Sequence, residues 1–268
     1  MPDGTTPLLL RQDSEAGVTR LTLNRPDSRN SLSFAMLGAL HHALAEIALD
    51  PTPRVVVLAA AGAVFCAGHD LREITAHRND EDGGQGFFDA AMRRCAAVMQ
   101  AIVALPQPVI AEVQGVATAA GCQLVASCDL AVASEAARFC TPGVDIGLFC
   151  STPAVALSRA IAAKPALEML LTGEMVAAQE ARRLGLVNRV VPAAELGQAT
   201  EALARHIAAR SAYAVRLGKA AFHAQRGLPL DQAYADAAGV MACNLMAADA
   251  AEGISAFLGK RKPVWQDR

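Results

Sequence analysis

Charge is scarce in this sequence and nearly balanced. Only 19% of its 268 residues are charged, and 24 basic against 26 acidic side chains leave a net charge of -2. Without a global basic field, bulk electrostatics will not draw in nucleic acid or an anionic membrane, and any phosphate must be met by a local arrangement. Aromatic residues make up 4% of the chain, so its core must come from small aliphatic side chains and close helix packing. No C-x-x-C pair occurs among the seven cysteines, and Cys66, Cys122, Cys128, Cys140 and Cys150 lie in apolar stretches. That is the pattern of reduced, buried thiols; neither a zinc site nor a disulfide framework is expected. The nucleotide and hydrolase signatures G-x-G-x-x-G, G-x-x-x-x-G-K-[ST], G-x-S-x-G and H-E-x-x-H are absent. The first six residues lack the basic and apolar regions of a secretory signal. The longest uncharged stretch, residues 95–111, carries Pro106 and Pro108 and is bounded by Arg94 and Glu112, which argues against a membrane span. A soluble, cytoplasmic protein is expected.

What remains is an apolar chain, 53% hydrophobic, long enough to bury a large core. Residues 8–11 and 18–23 read as a strand pair turning at Gly17, and residues 33–49 as a helix with Ser33 at its N-cap. Residues 54–60, 109–113 and 129–133 are short and apolar on both faces, as strands covered by helices would be. Helical stretches at 89–105 and 121–127 alternate with them, which predicts an α/β fold with right-handed crossovers. The charged, Gly-rich stretch 76–86 reads as a mobile surface loop, a candidate lid. After residue 193 only Ala-rich helices are expected, broken at Gly227-Leu228-Pro229 and capped by Gly259. The chain thus divides into a core over residues 1–192 and a helical region over residues 193–268.

Two small-residue junctions follow strands, Val64-Phe65-Cys66-Ala67-Gly68-His69-Asp70 and Gly115-Val116-Ala117-Thr118-Ala119-Ala120-Gly121-Cys122. Small side chains let a ligand reach the backbone, and the second junction opens a helix whose first amides lack intrahelical acceptors. Two such N–H groups can hold one oxygen, and amide donors aimed at a developing enolate oxygen are worth about 3 kcal/mol each. The alternative is a pair of strand-to-helix turns packed tightly with alanine. Both readings stand at this point.

The order Leu23-Asn24-Arg25-Pro26, Asn30-Ser31-Leu32, Phe65-Cys66-Ala67-Gly68-His69-Asp70-Leu71, Gly121-Cys122-Gln123-Leu124 and Cys128-Asp129 resembles the enoyl-CoA hydratase/isomerase (crotonase) family. The likeness continues through Leu171-Thr172-Gly173 and Gly185-Leu186-Val187 to Lys260-Arg261-Lys262-Pro263. The stretch from Thr141 to Pro153 is most similar to the third-type mitochondrial enoyl-CoA hydratase domain-containing proteins and their bacterial relatives. The resemblance implies a spiral of ββα turns with a C-terminal helical trimerisation region, a homotrimer or dimer of trimers, and an acyl-CoA or enoyl-CoA thioester as ligand. It implies no covalently bound cofactor, coenzyme A arriving as part of the substrate, and no metal. Carried over by position, the oxyanion donors are the amides of Ala67 and Ala120. Ala67, Gly68, His69, Asp70 and Leu71 would line the CoA path, with Arg29, Lys260 and Lys262 as phosphate partners. At His69 the family commonly has a small residue whose backbone does the work.

The sequence departs from the family where proton transfer takes place. Hydration needs a carboxylate to activate water and an acid to protonate the α-carbon, and the family's hydratases use two glutamates. Here those positions are Gln123 and Gly143. Glutamine takes no proton near neutral pH, and glycine has no side chain. Asp145, two residues beyond Gly143, is the candidate replacement base; the competing reading is a turn-capping aspartate. Three functions follow: an acyl-CoA enzyme of hydratase, isomerase or related enolate chemistry in fatty-acid metabolism, a non-catalytic acyl-CoA-binding or scavenging protein, or a structural protein that has lost the CoA site. Small residues at both junctions count against the third. Restoring both carboxylates, Gln123→Glu with Gly143→Glu, is expected to raise hydration more than either change alone.

Overall fold

A computed structural model describes residues 6–268. The chain opens with an antiparallel pair, β1 (Leu9–Asp13) and β2 (Val18–Leu23), and continues into α1 (Phe34–Leu49). Ser33 caps α1 by accepting from the Met36 amide, and Leu37, Leu40, Leu44 and Ile47 bury one face, as the 3.6-residue spacing predicts. Then a unit of two strands and a helix recurs. It comprises β3 (Val55–Ala60), β4 (Val64–Cys66) and α2 (Leu71–Ala76), with α3 (Gln85–Ala104) following. The second turn is β5 (Val109–Val113), β6 (Val116–Thr118) and α4 (Ala120–Ser127). The third is β7 (Leu130–Ser134), β8 (Arg138–Cys140), a short 3-10 turn and α5 (Ser151–Ala160), continued by α6 (Ala163–Thr172). The core closes with β9 (Val176–Ala177), α7 (Ala178–Leu184) and β10 (Arg189–Val191).

Each turn gives its first strand to one sheet and its second to another. The larger sheet runs β1-β2-β3-β5-β7-β10, parallel beyond its first pair, and the smaller runs β4-β6-β8-β9. The result is a spiral of ββα turns. Strand β3 shows why its sequence is apolar throughout: Val56 and Leu58 enter the main core with α1 and α3, while Val55 and Val57 face α8 (Leu196–Ala208) on the opposite side. A period of two with both faces covered leaves no polar position.

The stretch 76–86 is built differently from the expected loop. It holds the end of α2, a 3-10 turn at His77–Asn79 and a cap in which Asp82 accepts from the amides of Gly84 and Gly86 at 2.9 and 2.7 Å. Helix α3 therefore starts at Gln85 instead of 89. Apolar periodicity cannot register a cap made by one carboxylate on two glycine amides.

Beyond α8 come α9 (Ala212–Gln225), α10 (Leu230–Leu245) and α11 (Ala248–Leu258). Gly259 ends α11, but its backbone is not left-handed; Lys260 takes the positive φ of 51°. No residue of α10 is buried, and Tyr234, Met241, Leu245, Met246, Ile254, Phe257 and Leu258 expose an apolar arm. The tail folds back beneath it. Asp249 accepts from the Gln266 and Asp267 amides, Trp265 donates to the Ala209 carbonyl, and Asp267 pairs with Arg54. Among the described residues no helix is long and apolar enough to cross a membrane.

Glu252 secures this tail through Arg261 and the Val264 amide, and the Arg261 hydrogen bond holds its carboxyl down at about 2. A depressed carboxyl stabilises the fold above its unfolded value and loses that contribution as pH falls through the folded one. Tail docking, read by the fluorescence of Trp265, the sole tryptophan, is therefore expected to weaken as pH falls from about 4 toward 2. Glu252→Gln should produce the same spectral change at pH 7; an unchanged spectrum would show that Glu252 does not hold the tail.

Candidate functional site

The two junctions lie side by side. Gly68, at φ 84°, packs so closely on the start of α4 that an added Cβ would sit 2.9 Å from Ala119 Cβ and 3.3 Å from the Ala120 nitrogen. A side chain at Gly121 would run into the Cys66 carbonyl oxygen. Only backbone fits at this crossing. Ala119 there takes φ 51° and ψ -118°, a conformation that costs an alanine about 1–3 kcal/mol. It is held by its own amide donating to the Cys140 carbonyl at 2.9 Å and its carbonyl accepting from Gln123 at 3.0 Å. The turn leaves the Ala120 amide at the first position of α4 without an acceptor among the described residues.

The other donor is not the one carried over from sequence. The Ala67 amide donates to the Arg29 carbonyl at 3.0 Å and has no hydrogen left for a ligand. His69 forms a parallel bridge with Leu32, in which Leu32 donates to Gly68 and Asp70 donates to Leu32. In that pattern the His69 amide points to the opposite side, toward α4, and it meets no carbonyl there. The free pair is therefore His69 and Ala120. In a parallel bridge one residue, here Leu32, makes both bonds and the other, His69, directs its amide away, and the pairing of Leu32 with His69 was the information that the motif alone lacked.

Asn30 sets this geometry. It is fully buried at φ 51°, accepts from the Arg25 amide and donates to the carbonyls of Ala61 and Val64, fixing the segment that carries Arg29 and Leu32. Asp70 adds a second tie. It caps α2 at Arg72 and Glu73, accepts from Ser31 and pairs with Arg25 at 3.5 Å. Asp70 thus holds the segment's shape, while Leu71 opens α2 with its side chain half exposed. The His69 ring is largely buried, its Nε2 has no partner, and burial pushes its pKa down against a hydrogen bond to the Leu32 backbone. It is neutral at pH 7. The thiols are also neutral, since burial raises Cys66 and Cys95 to about 12 and Cys122 further. None is a ready nucleophile.

Arg29 is exposed, with a left-handed backbone at φ 53°, next to the junction through its carbonyl. Lys260 and Lys262 are exposed on the tail that docks near Arg54, before β3, whereas the junction follows β3 and β4. The Lys260 amide donates to the Phe257 carbonyl, and the Lys262 carbonyl accepts from Arg261. Asp145 lies in the turn Pro142–Ile146, exposed, with its carboxylate against Gly173. It does not line the cavity described below. Gly143 is buried, and its position is closed: an added Cβ would lie 2.5 Å from the Leu148 carbonyl oxygen and 2.8 Å from Cys150 Sγ. Leu148 also donates to the Gly143 carbonyl at 2.8 Å. The vacated glutamate position has been filled by backbone, which corrects the expectation that a glutamate can simply be restored there.

Gln123, one turn into α4, lines a cavity of about 910 Å³ between α3, α4, α5 and α9. At its far wall Lys219 of α9 donates to Asp129 at 2.6 Å and to the carbonyls of Ile102 and Gln107, and His223 approaches the same carboxylate at 3.3 Å. Asp129 also accepts from the Val109 amide at 2.7 Å. Burial lowers the Lys219 pKa while Asp129 opposes it. Sequence reading passed over Lys219 and His223; the available signal was a lone lysine within an Ala-rich helix. Among the described residues no three His, Cys, Asp or Glu side chains cluster as metal ligands would.

Comparison with known proteins identifies the family. The sequence pattern of the enoyl-CoA hydratase/isomerase family matches residues 13–268. The mitochondrial enoyl-CoA hydratase domain-containing protein 3 of Homo sapiens is 49% identical, covering 93% of this chain and 80% of the relative; that of Xenopus laevis is 48% identical, covering 97% and 86%. Among solved structures, an enoyl-CoA hydratase of Mycobacterium smegmatis superposes with TM-score 0.93 at 53% identity over 97% of this chain and 99% of that one. Human enoyl-CoA hydratase domain-containing protein 3 superposes with TM-score 0.91 at 47% identity over 97% and 100%. The expectation of a cytoplasmic location is overturned by the vertebrate relatives, which are named mitochondrial proteins. The chain belongs to the enoyl-CoA hydratase/isomerase family, whose spiral of ββα turns it shares.

Proposed function

We propose that this protein binds acyl-CoA or enoyl-CoA thioesters and holds the thioester oxygen between the amides of His69 and Ala120, without the acid–base pair that hydration requires. One observation carries the reading: two amides without acceptors meet at a crossing where only glycine and alanine fit, with Ala119 strained beside them. Strain of this kind persists where the surroundings enforce it, typically at ligand sites. Such a pair stabilises negative charge on the carbonyl oxygen. The ligand class is that of fatty-acid metabolism, and coenzyme A enters as part of the ligand, with no covalently held cofactor. A crystal soaked with a CoA thioester should show the carbonyl oxygen within hydrogen-bond distance of both amides; a carbonyl pointing elsewhere would refute the assignment.

A second reading, non-catalytic binding or scavenging of acyl-CoA, is favoured by the closure over Gly143. Loss of one general acid or base costs about 10² to 10⁴ in rate, and here both family positions lack one. Crotonyl-CoA hydration should accordingly be very slow. Gln123→Glu alone should not restore it, and Gly143→Glu should destabilise the protein by about 1–3 kcal/mol in urea unfolding, because it forces the Leu148 backbone away. Turnover at ordinary hydratase rates, or a Gly143→Glu variant as stable as the native protein, would contradict this.

The apolar arm of α10 and α11 supports assembly as a homotrimer or a dimer of trimers, since side chains such as Tyr234, Leu245 and Phe257 stay exposed in one copy. Light scattering at micromolar concentration should return three or six times the chain mass of 27.9 kDa. A mass of one chain would rule the assembly out.

A further inference from the structure

The cavity between α3, α4, α5 and α9 stands apart from the crossing of the two junctions, and no residue of either junction lines it. Its wall on α4 is Gln123 and the last turn, Val125, Ala126 and Ser127. Ala120 opens the same helix, whose eight residues separate the two ends by about 12 Å. At about 910 Å³ the cavity is within the range of about 300–1,000 Å³ usual for small-molecule sites.

Its charges are unevenly placed. Asp129 is the only acidic side chain among its lining residues, and Lys219 offsets it at 2.6 Å. The three N–H groups of Lys219 are spent on Asp129 and on the carbonyls of Ile102 and Gln107, so this ammonium has nothing to give a ligand. Two guanidinium groups remain, both on exposed residues at the rim. Arg159, in the last turn of α5, donates to the Val155 carbonyl at 3.0 Å, and Arg226, just past α9, donates to the Arg159 carbonyl at 2.5 Å. Neither meets a carboxylate among the described residues, and each keeps unused N–H groups of a fork whose shape matches one. The walls below them are apolar, with Met99 and Val103 of α3 facing Leu186. Val155 and Phe222 also line the cavity yet stay 54% and 57% exposed, so apolar surface is left uncovered beside the two cations.

We propose that this cavity is a second ligand site, for a free medium-chain monocarboxylate, with the carboxylate on Arg159 and Arg226 and the alkyl chain between α3 and α9. The chain covers the apolar walls, and the single negative end supplies the partner that the two guanidinium groups lack. A neutral chain of the same length buries the same surface and leaves them unpaired.

Calorimetric titration of the full-length protein with octanoate and octan-1-ol tests the proposal. One octanoate should bind per chain, about tenfold more tightly than the alcohol, the worth of a charge-assisted hydrogen bond. Arg159→Gln combined with Arg226→Gln should remove that difference and leave octan-1-ol affinity within about threefold. Gly218 of α9 lines the cavity, and an added Cβ there meets nothing beyond its own helix within 4 Å, so Gly218→Leu fills the space without a clash. It should abolish binding of both ligands while leaving butyryl-CoA affinity unchanged. No octanoate binding by the native protein, equal affinity for acid and alcohol, or binding that survives Gly218→Leu overturns the proposal. So does displacement of octanoate by butyryl-CoA, which would put the acid in the thioester site, or a fall in light-scattering mass for Gly218→Leu, which would give the cavity to a second copy of the chain. Failure of butyryl-CoA to bind the native protein would sink only the CoA-thioester reading.

Discussion

The site depends on one close crossing, where the backbone after β4 passes over the first turn of α4. Gly68 and Gly121 make it possible, because a methyl group at either would collide with the other segment. Close approach alone would yield a tight turn and nothing more. What makes it chemically useful is that the surrounding carbonyls are spent elsewhere. Leu32 takes the Asp70 amide, Arg29 takes that of Ala67 and Cys140 takes that of Ala119, and the amides of His69 and Ala120 are left over. Buried amides are rarely without partners, so a converging pair of them is informative.

The two positions at which the resemblance places the family's glutamates differ from them in different ways. At 123 the carboxylate has become a carboxamide held by a thiol, so shape and polarity remain and titration is lost. At 143 there is no side chain, and backbone occupies the space: the Leu148 amide donates to the Gly143 carbonyl, and the Leu148 carbonyl oxygen stands where a side chain would have to go. The first change is reversible by one substitution. The second is bound up with the loop conformation, and a single substitution cannot undo it.

Much of the architecture was legible in the sequence because apolar period and caps are local signals. The limits of β2, β5 and α1, the Ser33 cap and the helical character beyond residue 193 follow from residues that touch their near neighbours. The likeness to the family supplied the spiral and the importance of the two junctions. What it could not supply depends on pairings across long stretches of chain. Ala67 in place of His69 is an error of two residues that only the bridge to Leu32 exposes. Asp145 looked available because it is close in sequence to Gly143, yet its carboxylate faces Gly173 instead. The cap at Asp82 and the Lys219–Asp129 pair likewise join groups that no periodicity relates.

That last pair has a mechanical side. Lys219 ties α9 to Asp129 and to carbonyls at the end of α3 and the start of the β5 segment, so α9 is at once a wall of the cavity and the root of the protruding arm. Lys219 lies midway along α9, so the charge pins the helix at its centre. Lys219 and His223 stand on the wall of the cavity that Gln123 also lines, so the helix that carries the arm and the shape of that cavity are fixed by the same contacts.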